Sequence, residues 1–154
     1  ELDYQLPIKL LDIYFEDHHT KTAKHYHTSI EILIPVLGKL KLFLTDKELI
    51  IPQGSLYIIN SQEIHGMHHT EDTDIYKGYA LQINYDFIKK YYPAIDNYQF
   101  IQPNHKIKEK ILLDIFKIIA AYDHSNQFQK IEIESYILHL LYTLLSNTLD
   151  KKQI

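Results

Sequence analysis

The chain has no cysteine and no arginine, and all sixteen of its basic residues are lysine. Without Cys there is no disulfide framework, thiolate metal site or cysteine nucleophile, and a reducing cytoplasm is the expected compartment. Without Arg the planar fork that clamps phosphates and guanine edges is missing. With a net charge of −4, this segment is expected to bind nucleic acid poorly on its own. Four Gly and five Pro beside 45% hydrophobic residues exclude collagen-like, mucin-like and disordered classes. No run approaches the roughly eighteen apolar residues that a membrane helix needs, so no membrane contact is expected. Acids in Glu1 to Asp17 stand where a secretory signal carries a cationic start. Residue 1 is Glu instead of Met, as expected of a chain trimmed at its front. There is no Gly-x-Ser-x-Gly elbow and no Gly-rich phosphate loop, so nucleophilic catalysis is not expected. Thirteen Tyr stand beside no Trp. Tyr rings can stack on a ligand, but those at 91, 92, 136 and 142 fall on predicted helices, where packing is the simpler account.

The 154 residues fit one domain, or a small domain plus an appendage, with two halves of different character. Residues 1–83 hold every Gly, seven of the ten His, and seven Lys against twelve acids. Residues 84–154 hold no Gly, and nine Lys against eight acids. Strands are expected first and helices afterwards. Ile30 to Leu37, Leu40 to Leu44, Leu49 to Ile51, Leu56 to Ile59, Ile64 to His69 and Ile75 to Ile83 read as short strands separated by turn residues, the pattern of a sandwich or barrel. Asn84 can cap a short helix ended by Pro93, and Asn104 a helix with Ile107, Ile111, Ile115, Ile118 and Ile119 on one face. Asn126 and Gln129 have capping-box spacing for a last helix running to about Leu149. Glu1 to Leu11 reads as an N-terminal arm or as an edge strand.

The last helix is apolar around most of its circumference, so it must be covered on more than one side. A homodimer seam of two antiparallel helices, through Ile137, Leu141, Leu144 and Leu145, is expected to supply one cover. A central helix in a monomer is the alternative.

The most informative stretch is His25-Tyr26-His27-Thr28-Ser29-Ile30-Glu31. In a continuous strand His25, His27 and Glu31 share one face, while Ile30, Ile32, Ile34 and Val36 share the other. Three candidate metal ligands on one face point to a site for an ion or ligand, although such groups can also simply hydrogen-bond one another. Met67 and His69 share the face of His65 by the same parity and become candidate pocket residues, and His68 faces away. His18 and His19 read as solvated, and His105, His124 and His139 as structural.

These residues resemble the first cupin motif, in which His-x-His is followed by three or four residues, Glu, six residues and Gly. Here it reads His25-x-His27, three residues, Glu31, six residues, Gly38. The second motif ends in a His, and two registers compete for it. Counting from Pro52-Gln53-Gly54 places Tyr57 there. Starting the strand at Gly54, with Asn60-Ser61-Gln62 at the turn, places His65 there and preserves strand lengths. The order of barrel motifs and two long helices is similar to the sensor domain of AraC-type bacterial transcription regulators. That resemblance implies a mainly β fold with α, a cupin-like (double-stranded β-helix or jelly-roll) barrel followed by a C-terminal helical pair. It also implies a small-molecule effector in the barrel, a homodimer, and DNA contacted only through a helix-turn-helix domain outside this segment. The alternative is a metal-dependent cupin enzyme, an oxygenase or isomerase, with a divalent Zn, Ni, Mn or Fe on His25, His27, Glu31 and His65.

Overall fold

A computed structural model describes residues 5–16, 22–70 and 75–153. Alternation dictates the strands. In β3 (Leu40–Leu44), the three leucines are buried and the two residues between them are not. This strand lies between β4 (Glu48–Ile51) and β6 (His65–His69) in a three-stranded sheet. The other sheet has the order β1-β7-β2-β5, with β1 (Ile8–Phe15), β7 (Tyr76–Ile83), β2 (Ile30–Leu37) and β5 (Tyr57–Ile59). All pairings in both sheets are antiparallel. Ile8 to Leu11 therefore belong to an edge strand, not to a separate arm, and Glu1 to Tyr4 lie outside the described residues, as do His18 and His19.

One apolar core joins the inner faces of both sheets. It contains Phe15, Leu33, Leu40, Leu42, Leu44, Ile51, Ile59, Met67, Tyr76 and Ala80. β2 is buried on both faces from Ile30 to Pro35, because Ile30, Ile32 and Ile34 face outward under cover while Glu31 and Leu33 face in. The short helix α1 (Tyr85–Tyr91) completes a compact unit spanning Pro7–Tyr91, and the chain from Tyr92 onward belongs to a second one.

In the second unit, α2 (His105–Tyr122) starts where Asn104 Oδ1 accepts from the Ile107 amide at 3.0 Å, the cap expected of that residue. The expected capping box at Asn126 and Gln129 does not form. The last helix, α3 (Gln129–Asn147), begins after Phe128 with no side-chain cap. Gln129 Nε2 instead donates to the carbonyls of Ala121 and Tyr122, both at 3.1 Å, and closes the end of α2. A single 3-10 turn, Pro93–Asn97, leads into β8 (Tyr98–Phe100), which pairs with β9 (Leu149–Lys151) in a small ribbon. Leu149 thus leaves the helix as a strand, which the periodic pattern did not indicate. Among the described residues, no helix is long and apolar enough to cross a membrane.

The helical seam needs correction. Ile137, Leu141 and Leu144 are at most 3% exposed within a single chain. They belong to the inner face of α3 with Ile133 and Leu140, and are spent on internal packing. Leu145 is half-buried. The outward apolar side chains are Phe128, Ile131, Leu138 and Tyr142. From Ile131 onward their spacing follows the a and d positions of a heptad, continued by Leu145 and interrupted by Ser135, with Phe128 just before the helix.

In the first unit, Gly78 sits beneath the buried Tyr76 ring. A Cβ there would collide with the Tyr76 hydroxyl and stand 2.6 Å from the Ile34 carbonyl oxygen. Gly78→Ala is therefore expected to lower stability by about 1–3 kcal/mol through overpacking. Urea unfolding of the purified chain checks this, and an unchanged midpoint and slope would contradict the packing described.

Candidate functional site

His25 and His27 do not lie on β2, as a continuous strand would require. The strand begins at Ile30, after a bend at Thr28 and Ser29. Residues 22–27 instead run along the edge of β6. The Thr22 amide donates to the Met67 carbonyl at 2.9 Å, and the Met67 amide to Thr22 Oγ1 at 2.8 Å. His25 and His65 exchange both backbone hydrogen bonds, each at 2.9 Å. Gly66 permits this approach, since a Cβ there would meet the Thr22 carbonyl oxygen at 3.2 Å. The 60–62 turn holds the other end: the Gln62 amide donates to the His27 carbonyl at 2.8 Å, with Gln62 in the left-handed region at φ 66°.

This backbone arrangement brings His25, His27, Glu31 and His65 together, one ligand atom from each lying within 4.8 Å of every other. The fourth position is thus held by His65, and Tyr57 packs partly buried against the core. Burial, with the charge of Glu63, pushes the Tyr57 hydroxyl pKa upward. Met67 is a member of the apolar core. His69 is buried, its ring 6.3 Å from that of Phe15. It is four residues along a strand from His65, about 13 Å at the usual rise, so it cannot share an ion with it. His68 faces the other side, against Phe43.

The imidazoles are set in one tautomer. Each turns Nδ1 to a backbone carbonyl, His25 to Ala23 at 2.9 Å, His27 to Ser29 at 3.0 Å and His65 to Glu63 at 2.8 Å. A carbonyl can only accept, so each Nδ1 carries a proton; in a neutral ring Nε2 then keeps its lone pair, whereas in a protonated ring it donates, and His27 Nε2 has hydrogen-bond geometry to Glu31 Oε2. Nε2 of His27 and of His65 stand 3.2 and 2.8 Å from the same Glu31 oxygen, Oε2. The His65 contact is short but not aligned as a hydrogen bond, so its buried Nε2 has no partner in line. Lone pairs facing a carboxylate repel unless a positive charge sits between them. A divalent ion satisfies this arrangement: ring nitrogens fixed by carbonyls behind them are the usual setting of metal-binding His, and bonds of about 2.1 Å place neighbouring ligand atoms about 3–4 Å apart. The donor set of three N and one O suits Zn, Ni, Mn or Fe.

A proton is the other cation that fits. Burial pushes His65 down and Glu31 up, but it is outweighed in both, by their mutual attraction together with Glu63 at His65 and with Gln82 and His27 at Glu31. The net shifts raise the pKa of His65 and lower that of Glu31. One partner escaped the sequence reading: Gln82 of β7, directly opposite Glu31 in the ladder, donates from Nε2 to Glu31 Oε1 at 3.3 Å. A lone polar residue on the inward parity of Tyr76, Gly78 and Ala80 was the available signal. Among the described residues, His25 opens the group to solvent, while Glu31 and His65 are buried.

The profile of the AraC-like ligand binding domain matches residues 9–141, from β1 through α2 and into α3. The chain belongs to that family. Its strand-rich part is a pair of antiparallel sheets closed on one apolar core. No curated protein is significantly similar in sequence. Solved structures with a similar fold include an RmlC-like cupin family protein from Methanocaldococcus jannaschii, at 18% identity and TM-score 0.47, covering 51% of this chain and 71% of that one. A cupin superfamily protein from Desulfitobacterium hafniense is 10% identical at TM-score 0.48, covering 54% and 72%. A predicted oxalate decarboxylase from Thermotoga maritima is 21% identical at TM-score 0.44, covering 49% and 64%. Likenesses this distant carry no functional information.

In metal-free protein the two shifts give a stability window. The His65 contribution is full below its ordinary 6.5 and fades as pH rises through its raised value. That of Glu31 is full above its ordinary 4.5 and fades as pH falls through its lowered value. The pair therefore contributes most between pH 4.5 and 6.5. In Glu31→Gln the pKa of His65 should fall, because burial is then unopposed by the carboxylate. An NMR titration reads this directly, and an unmoved His65 curve would refute the electrostatic account.

Proposed function

We propose that this chain is the effector-sensing and dimerisation part of an AraC-type transcription regulator of the cytoplasm. The family match across barrel and helices carries the reading. A small molecule is bound at the barrel, next to His25, His27, Glu31 and His65, with Met67 and His69 on the inner wall behind. A divalent ion held by those four residues forms part of the ligand site, and supplies a positive charge on which an anionic or chelating ligand can be anchored. The chain's own residues bind and orient: the three carbonyl-fixed imidazoles and the buried carboxylate set the donors without rearrangement, and the apolar core excludes water behind them. DNA is contacted by a domain outside these residues, consistent with a segment that lacks Arg.

Two copies meet along the outward stripe of α3. Phe128, Ile131, Leu138, Tyr142 and Leu145 form the seam, which explains a helix apolar on both sides. Ligand occupancy biases the arrangement of the paired copies, and so of the DNA-binding domains.

A metal-dependent cupin enzyme is the second reading, favoured by the exposed flank of the site at His25, which leaves a path for substrate. Elemental analysis of protein purified without chelators tests this second reading, and absence of bound metal would remove it. An enzyme requires a resident metal near one equivalent, whereas a sensor can load it with the ligand.

Zinc or manganese at a hundredfold over its Kd should stabilise the chain by about 2.7 kcal/mol, seen as a rise in melting temperature. His65→Ala and Glu31→Gln should abolish that rise. A wild-type melting temperature indifferent to every divalent ion tried would remove the ion from the proposal. Leu138→Glu with Tyr142→Glu should give monomers by light scattering while leaving ion stabilisation intact. Dimers that survive that double change would place the seam elsewhere.

A further inference from the structure

Glu31 has two carboxylate oxygens, and the structure divides their labour. Oε2 faces His27 and His65, and Oε1 receives the amide of Gln82 at 3.3 Å. The two side chains are brought together by register, since Glu31 and Gln82 are direct partners in the antiparallel β2–β7 ladder and both point inward. Directly opposed residues on one face of such a ladder have Cβ atoms only about 5 Å apart, well within reach of a glutamine. The amide orientation follows from chemistry, because turning its carbonyl to the carboxylate would set two acceptors against each other.

We infer that Gln82 is a positioning residue of the ion site: it holds Glu31 to one-oxygen coordination by engaging the other oxygen. This rests on the reading of the His25, His27, Glu31 and His65 group as an ion site. Without the amide, Glu31 can rotate about its last bond and offer both oxygens, or turn from the imidazoles toward whatever donor is nearest. Gln82 itself does not touch the ion. The three histidines have their counterparts in the carbonyls of Ala23, Ser29 and Glu63, so Gln82 completes the outer support: each of the four ligands is oriented by one fixed group behind it.

Cobalt(II) is the probe, because its visible d–d bands report ligand number and geometry without any activity assay. Wild-type protein, Gln82→Met and Gln82→Leu are titrated with cobalt(II) against a competing chelator, and the metal-free melting temperature of each is recorded. Gln82→Met keeps the length of the side chain, so it carries the test if the leucine variant does not fold. The expected result is a loss of affinity of about 10- to 100-fold with altered d–d bands, at a metal-free melting temperature near that of wild type. A merely structural role predicts the opposite, a lower melting temperature with unchanged bands. Wild-type affinity and spectrum in folded Gln82→Met would overturn the inference while leaving the ion site standing. Absence of cobalt bands in wild type would overturn the ion site itself, and the inference with it.

Discussion

A buried carboxylate faces two ring nitrogens whose protons have been committed elsewhere, and the architecture around the site follows from that. Glu31 is 2% exposed, and removing a charge from water costs several kcal/mol even after relaxation. Hydrogen bonds recover part of that cost, and Gln82 supplies one. The remainder has to come from positive charge at the meeting point of His27, His65 and Glu31. Three backbone carbonyls fix where the ring protons go, so the positive charge cannot come from a simple change of tautomer. It is either an added proton or an ion.

How much of this was legible in the sequence depended on what kind of spacing carried it. The motif from His25 through Gly38 identified three of the four group members, and preserving strand length picked His65 over Tyr57. The reason drawn from parity, one continuous strand, was not the physical one. His25 and His27 sit on a stretch that folds along the edge of β6, held by Thr22, the His25–His65 bridge and the Gln62 turn. That path depends on non-local pairing, to which period-two alternation is blind. Gln82 was invisible for the same reason: its partnership with Glu31 is a matter of register across fifty-one positions of chain.

Helices were easier to find than to orient. Apolar residues with helical period located α2 and α3, and Asn104 marked a start that the structure reproduces. On α3, however, two apolar stripes compete. Ile133, Ile137, Leu140, Leu141 and Leu144 form one, and Phe128, Ile131, Leu138 and Tyr142 the other. Hydrophobicity cannot say which of two greasy faces meets its own chain, and the branched aliphatic set was spent on the inside. The outer stripe carries two aromatics and a central Ser135, a less uniform face. Strands of three residues, such as β8 and β9, are too short for any period to show.

The site is assembled from two kinds of backbone, and this constrains what binding can accomplish. Glu31, His65 and Gln82 sit on strands tied into ladders on at least one side. His25 and His27 sit on a segment fastened by a handful of hydrogen bonds, the kind of region whose local opening costs less than global unfolding. A ligand that engages only Glu31 and His65 meets groups already fixed, and it alters no equilibrium beyond its own binding. One that also engages His25 and His27 fastens the 22–27 segment to the sheets, and its affinity then depends on how often that segment is closed. By linkage, whatever else favours the closed segment tightens the same ligand.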